Sequence, residues 1–270
     1  MEAFYAPLGG DRYAATRHTV GPWSADSQHL GPPSALLVRE LERLPGSGPA
    51  GSGLPGSGQP GPGLLARVAF DVLGPVPVAE LVVSASVVRP GRSVELLAAV
   101  LSHEGRPVLR ASAWRIAPGD TASVASGQPE PLPPPSACAE FSVPGDWACG
   151  YLEAVEWRSV SGGLATPGGA AVWGRPRVPV VAGEEPSAAQ RLFTVADSAS
   201  GVSTRLDIRR WYAINTELTV HLHREPVGEW FALDAETVVG PTGVGVAGST
   251  VHDLAGAVGR TAQALFVRER

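Results

Sequence analysis

The chain has 270 residues, room for one large domain or two ordinary ones, and 44% of them are hydrophobic against 17% charged, so a sizeable core can form. A formal net charge of −5 argues against nucleic acid and anionic membrane as principal partners; all 21 basic side chains are arginine. No run of 18 apolar residues is present to span a bilayer. The first residues lack the basic-then-apolar pattern of a secretory leader, and Cys138 and Cys149 do not make a disulfide framework, so a cytoplasmic protein is the expectation.

Arg12–Val20 reads as a weakly alternating strand. After His29–Gly31, the stretch PPSALLVRELERL carries Leu36, Leu37, Leu41 and Leu44 on one helical stripe, and Pro45 ends it. Residues 46–63 are a Gly/Ser/Pro repeat without side chains to pack, expected to be a flexible surface loop. From Leu64 the pattern turns to strands: ARVAFDVLG, AELVVSASVV, SVELLAAVLS and PVLRASAWRI, separated by GPVP, RPG and HEGR. A Pro-rich stretch, 118–146, then reads as a linker.

The second half begins again with strands at Leu152–Val160 and Ala170–Val181. A helix follows, and then TELTVHLHR, EWFALDAETVV, GVGVAGSTVHD and VGRTAQALFVRE run as strands. At an offset of 151 residues Pro75 meets Pro226, Val87, Val88 and Pro90 meet Val238, Val239 and Pro241, and Gly105 meets Gly256. Turns fall on turns, which points to an internal duplication. The chain therefore divides into an N-terminal half, 1–117, and a C-terminal half, 147–270.

The helix of the second half is RLFTVADSASG, Arg191–Gly201. Leu192, Val195, Ala196 and Ala199 recur at helical spacing, and Glu184, Glu185, Pro186 and Ser187 supply start signals. Phe193 lies four residues before Asp197, so the acid leans towards an apolar face, where a charge needs partners. The residues alone leave Asp197 as a solvated edge or capping residue, or as a functional acid. At the duplicated offset Ser112 stands where Gln263 stands, and Leu36–Leu44 offers no matching acid on a comparable stripe. Chemistry, if one half carries it, belongs to the second.

One helix laid against a meander, twice in one chain, looks like an α+β double hotdog, two antiparallel meander sheets each wrapped on one long helix. The C-terminal half resembles the acyl-CoA thioesterase II family and the thioesterase-like group around it, through VADSASG, NTELTVHLHR followed by EWFAL, and RTAQALFVR. In the first half HLGPPSALLV and VVRPGRSVELLAAVLSHEGRPVLRASAW match the family's helix entry and hairpin strands. The resemblance implies a catalytic trio of Asp197, Gln263 and Asn215. The third is a departure, Asn in place of Thr, with Thr216 adjacent; neighbouring strand residues face opposite sides, so one of the two serves.

The implied reaction is hydrolysis of an acyl-CoA or acyl-carrier thioester, with no cofactor, metal or covalent nucleophile. Asp197 would take a proton from water held by Gln263 and Asn215, and backbone N–H groups near Gly31 or in the first turn of the second helix would meet the oxyanion. Arg92, Arg205, Arg209 and Arg210 are candidates for the CoA phosphates, and the exposed sheet faces and edges leave a homo-oligomer open. From the residues alone, Gln263 equally fits the solvent face of an edge strand and Asn215 a turn. Two other functions compete. One is an acyl-binding hotdog that does not hydrolyse. The other is hydration or dehydration of an acyl thioester, for which His29 is the one candidate base and lies in the half without the acid. GVGVAG at Gly243–Gly248 leads into strands, not the helix a dinucleotide fingerprint needs. His221 and His223 share a strand face but lack a third metal ligand. Six of the seven tryptophans, among them Trp147 and Trp211, read as core or groove wall.

Overall fold

A computed structural model describes residues 2–46, 63–141, 143–164 and 166–270. The flexible loop expected at 46–63 lies, apart from its two end residues, outside the described residues. The first half holds β1 (Tyr5–Gly9), β2 (Arg12–Ala15), α1 (Gly31–Arg43), β3 (Leu64–Val72), β4 (Glu80–Arg89), β5 (Val94–His103) and β6 (Arg106–Ile116). After β7 (Ala139–Glu140) and the single turn α2 (Gly150–Glu153), the second half supplies β8 (Val155–Gly163), β9 (Thr166–Pro176), α3 (Ala188–Ala196) and α4 (Ala199–Val202). It ends with β10 (Trp211–Asn215), β11 (Glu217–Leu222), β12 (Phe231–Val239), β13 (Val244–Asp253) and β14 (Gly256–Glu269).

The strands form one sheet in the order β1-β2-β4-β5-β6-β3-β11-β14-β13-β12-β9-β8-β7, with β10 paired to β14 beside it. The order reads the same from both ends: β4-β5-β6-β3 meets β11-β14-β13-β12 head to head. The expected pair of separate sheets is therefore corrected to a single sheet of 14 strands among the described residues. The join is the antiparallel ladder of β3 and β11, where Val220 faces Val68 and Thr219 faces Ala69. Val68, Leu218 and Val220 are fully buried there, so the seam is a hydrophobic interior and not a free edge.

Alternation sets the inner face. On β5, Leu97, Ala99 and Leu101 point inward; on β12, Phe231, Leu233 and Ala235 do. α1 packs on β4, β5 and β6, while α3 and α4 pack on β9, β12 and β13. The two helices also pack on each other. Arg39, buried on α1, donates to Glu184 just before α3, to Glu40 and to Tyr13, and so ties the later turns of α1 to the start of α3 across the halves. The Pro-rich stretch docks on the sheet, since the Pro133 carbonyl accepts from the Trp173 indole at 2.8 Å.

Gly31 opens α1 where it crosses α3, and a Cβ there would overlap the Thr194 carbonyl oxygen. Only glycine permits that approach. Gly31→Ala is expected to lower stability by about 1–3 kcal/mol through overpacking, read as a lower urea midpoint at unchanged slope. An unchanged midpoint would show that the helices separate freely.

Candidate active site

The helix expected over Arg191–Gly201 is two pieces. Ser187 caps α3 by accepting the Gln190 N–H at 3.1 Å, and the helix runs to Ala196. Asp197 keeps helical angles (φ −69, ψ −15), but the Ser198 N–H turns back to the Val195 carbonyl at 2.9 Å, and α4 starts at Ala199. A continuous helix would have paired Thr194 C=O with Ser198 N–H, Asp197 C=O with Gly201 N–H, and Ser200 N–H with Ala196 C=O. Tertiary partners take over the Thr194 and Asp197 carbonyls and the Ser200 N–H. The Tyr151 hydroxyl lies 2.9 Å from the Thr194 oxygen and 2.7 Å from Ser198 Oγ. Gln263 spans the break: its Nε2 donates to the Asp197 carbonyl at 3.2 Å, and its Oε1 accepts the Ser200 N–H at 3.2 Å. The break is stable because these buried groups are satisfied elsewhere.

The Asp197 carboxyl is 5% exposed and has donors on several sides. Oδ1 accepts from Asn215 Nδ2 at 2.9 Å and from Gln263 Nε2 at 2.8 Å. The Leu30 backbone N–H, at the N-terminus of α1, also bonds the carboxyl. Pro32 and Pro33 occupy the first turn of α1 and bring no N–H, so Leu30 and Gly31 are the donors left there. Gly31 N–H donates to His29 Nδ1 at 3.1 Å, and the same nitrogen lies 3.3 Å from Asp197 Oδ2. The His29 ring stacks on Tyr151, centroids 3.7 Å apart and planes 6° apart.

Burial raises the Asp197 pKa to about 8, against the opposing hydrogen bonds from Asn215, the Leu30 amide and Gln263. Burial lowers that of His29 to about 3. Both groups are then mostly neutral at pH 7. Since Oδ1 accepts from two amides, the acid proton belongs on Oδ2, which lies 3.3 Å from His29 Nδ1, whose one lone pair accepts the Gly31 N–H.

Asn215 reaches this point through a register slip. β10 and β11 both run along β14, but Asn215 faces Leu265 while Thr219 faces Ala262, one residue out of step. The Ala264 N–H left between the ladders donates to Glu217 Oε1 at 2.7 Å. Thr216, at the slip, turns its hydroxyl to the Ala264 carbonyl at 3.3 Å, so Asn215 and not Thr216 meets the acid. Gln263 lies on the inward face of central β14 and is 1% exposed, which removes the reading as a solvent-facing edge residue.

A cavity of about 490 Å³ opens over Asp197, with a mostly apolar lining drawn from both halves. His29, Asn215 and Thr216 line it, as do Trp147 and Trp211; Gln263 does not. Gln263 therefore holds the acid and not a water in the cavity. Two contributors escaped the sequence reading. Trp23 lines the cavity and carries the Arg270 guanidinium over its ring at 5.7 Å. The sequence offers His29 only for other chemistry, because the crossing of the helices, not the sequence, sets it against Asp197. Of the arginines expected for phosphates, Arg205 pairs with Glu236, Arg209 with Asp207 and Arg210 with Glu269. Among the described residues no group of three His, Cys, Asp or Glu is placed to hold a metal ion.

A family model described as the acyl-CoA thioesterase N-terminal domain matches residues 19–116, and one described as the C-terminal domain matches residues 135–267. No curated protein matches the sequence. Solved structures share the fold. A hotdog-fold protein of unknown function from Alicyclobacillus acidocaldarius is similar at 15% identity and TM-score 0.73, over 98% of this chain and 95% of that one. An acyl-CoA thioesterase II from Mycobacterium marinum is similar at 14% identity and TM-score 0.64, over 98% and 95%.

Gln263→Ala would strand the Ser200 N–H and the Asp197 carbonyl in the interior, and a loss of roughly 2–4 kcal/mol is expected in urea unfolding. A loss below about 1 kcal/mol would show that water replaces the side chain. Folding raises the Asp197 pKa from 3.8 to about 8, so its stabilising preference for the proton is complete below about pH 4 and lost as pH rises through about 8. Asp197→Asn has no proton to lose. Its urea midpoint should gain on the wild type between about pH 5 and about pH 9; a constant difference would contradict the raised pKa.

Proposed function

From the premise that the chain belongs to the acyl-CoA thioesterase family, we propose that it hydrolyses acyl thioesters with a water activated by Asp197. The observation that carries this is the arrangement of the carboxyl. Oδ1 is fixed by Asn215 and Gln263, Oδ2 is left to exchange a proton, and the residue lines a mostly apolar cavity.

Ionised Asp197 takes a proton from water as the water oxygen attacks the thioester carbonyl. Asn215 spends its amide N–H on Asp197, and its Oδ1, which has no partner among the described residues, accepts a hydrogen bond from that water. Gln263 sets the position and tilt of the acid from beneath. The rate gain is largely positional, because acid, water and carbonyl are held together without a covalent step. The Asn in place of the family's Thr still supplies a donor to the acid, which favours hydrolysis over binding alone. The acyl group lies among Trp147, Trp211 and the other apolar lining residues. Arg270, stacked over Trp23, is the cation we assign to the phosphates of the thiol portion. The halves 1–117 and 147–270 act as one unit, since His29 and Asp197 come from different halves.

Thiol release from acyl-CoAs of graded chain length tests the proposal. Release by the wild type and a fall of roughly 100-fold or more in kcat for Asp197→Asn are expected. No release at any chain length would remove the hydrolase reading. Because the base must be ionised, kcat/KM should rise with pH and level off above about 8. A profile already flat from about pH 6 would contradict the raised pKa of Asp197.

A further inference from the structure

A tetrahedral oxyanion needs hydrogen-bond donors, and a helix N-terminus is an obvious source. The start of α1 is the nearest one, and its donors are spent. Leu30 N–H is on Asp197, Gly31 N–H is on His29 Nδ1, and Pro32 and Pro33 have none. The expected donors near Gly31 are therefore not available to a substrate.

The imidazole beside them offers a replacement. Nδ1 accepts the Gly31 N–H, so the neutral ring carries its proton on Nε2. Nε2 has no hydrogen-bond partner among the described residues and is not among the enclosed unpaired atoms, and His29 lines the cavity. The ring is held still by its stack on Tyr151, whose hydroxyl is anchored between Thr194 O and Ser198 Oγ at the helix break. We propose that His29 is a catalytic residue, a neutral imidazole whose Nε2–H donates to the carbonyl oxygen of the acyl thioester and to the oxyanion formed from it. Burial keeps the ring from becoming a cation, so the same N–H is present throughout the reaction.

The assignment rests on the proposed hydrolysis for the bond that breaks. Water oxygen bonds to the carbonyl carbon, the π pair moves to oxygen, and the water proton passes to Asp197 Oδ2. Collapse re-forms C=O and breaks C–S, and sulfur leaves with the bonding pair and takes the proton from Oδ2. His29 donates a hydrogen bond and keeps its proton.

Three readouts on the full chain test this. Imidazole ¹⁵N NMR, with His29 identified by its loss in His29→Phe, should show a bare Nδ1 and a protonated Nε2 from about pH 5 to about pH 9. A protonated Nδ1, or a ring that titrates in that range, overturns the proposal. A CoA ketone in which CH₂ replaces sulfur and the carbonyl is ¹³C-labelled should bind with a lower carbonyl stretching frequency in the wild type than in His29→Phe, which preserves the stack on Tyr151. Equal frequencies overturn it. In thiol release, His29→Phe should lower kcat roughly 100- to 1000-fold with KM little changed, and His29→Gln, which restores an amide donor, should recover part of the loss. A kcat within about threefold of wild type overturns the proposal. Should the wild type release no thiol, the hydrolase reading falls, while the tautomer and the carbonyl shift still decide the role of His29.

Discussion

A carboxyl buried where two helices cross is the constraint that organises this molecule. An unpaired charge in an interior is strongly unfavourable. Asp197 is accommodated by amide donors from Asn215, Gln263 and Leu30 and by a shift of its ionisation that leaves it largely protonated. Each donor requires a backbone irregularity somewhere else. Gln263 needs the break between α3 and α4, Asn215 needs the slip between β10 and β11, and Leu30 needs α1 to start against α3. That last contact in turn needs a glycine at position 31. The helix break, the slip between β10 and β11 and the close start of α1 are thus one connected set around the same buried acid.

The duplication sets two crossing ends of the helix pair side by side for comparison. The sheet reads the same from either end, so the helix pair has two crossing ends. At the far end an acid also stands, Glu42 near the end of α1, which corrects the expectation that this helix carries no counterpart. It accepts from Ser187 Oγ at 2.8 Å and from Gln190 Nε2 at 2.7 Å at the start of α3, and burial raises its pKa. The two ends share the logic of an acid near one helix end held by the start of the other helix. They differ in their surroundings. Asp197 borders the cavity and has an amide from the sheet beneath it, whereas the inward face of β6 carries Leu109, Ala111, Ala113 and Arg115 and no amide; Ser112, which the 151-residue offset set against Gln263, lies on the other face of that strand. In a duplicated fold, one end can keep the chemistry while the other keeps only the packing.

The site belongs to neither half alone. His29, Val72 and Val76 come from the first, and Asp197, Asn215 and Trp211 from the second. The β3–β11 seam and the Arg39–Glu184 contact hold the halves in register, so a residue far from the cavity can still set the distance between His29 and Asp197. The geometry of the site is a property of how the two halves meet.

Strand alternation, turn chemistry and the 151-residue offset determined the repeated order of strand, helix and meander, because these are local signals of period two, period 3.6 and φ preference. The apolar run around Asp197 and motif resemblance for Gln263 also placed these two on the second helix and the last strand, whereas Asn215 falls on a short strand of its own and not at the start of the strand after it. Other features have no local signal. The short strand Trp211–Asn215 is defined by its pairing with β14, and the break after Ala196 by partners more than forty residues away in sequence, Tyr151 and Gln263. The union of two expected sheets into one depends on a seam whose two strands look alike whether they pair or stand at an edge. His29 is the clearest case. In the sequence it is a lone histidine before a helix; its contact with Asp197, its tautomer and its neutrality all come from a helix crossing between halves. Local chemistry fixes what each segment prefers, and only the packing of distant segments decides which polar groups share a buried space.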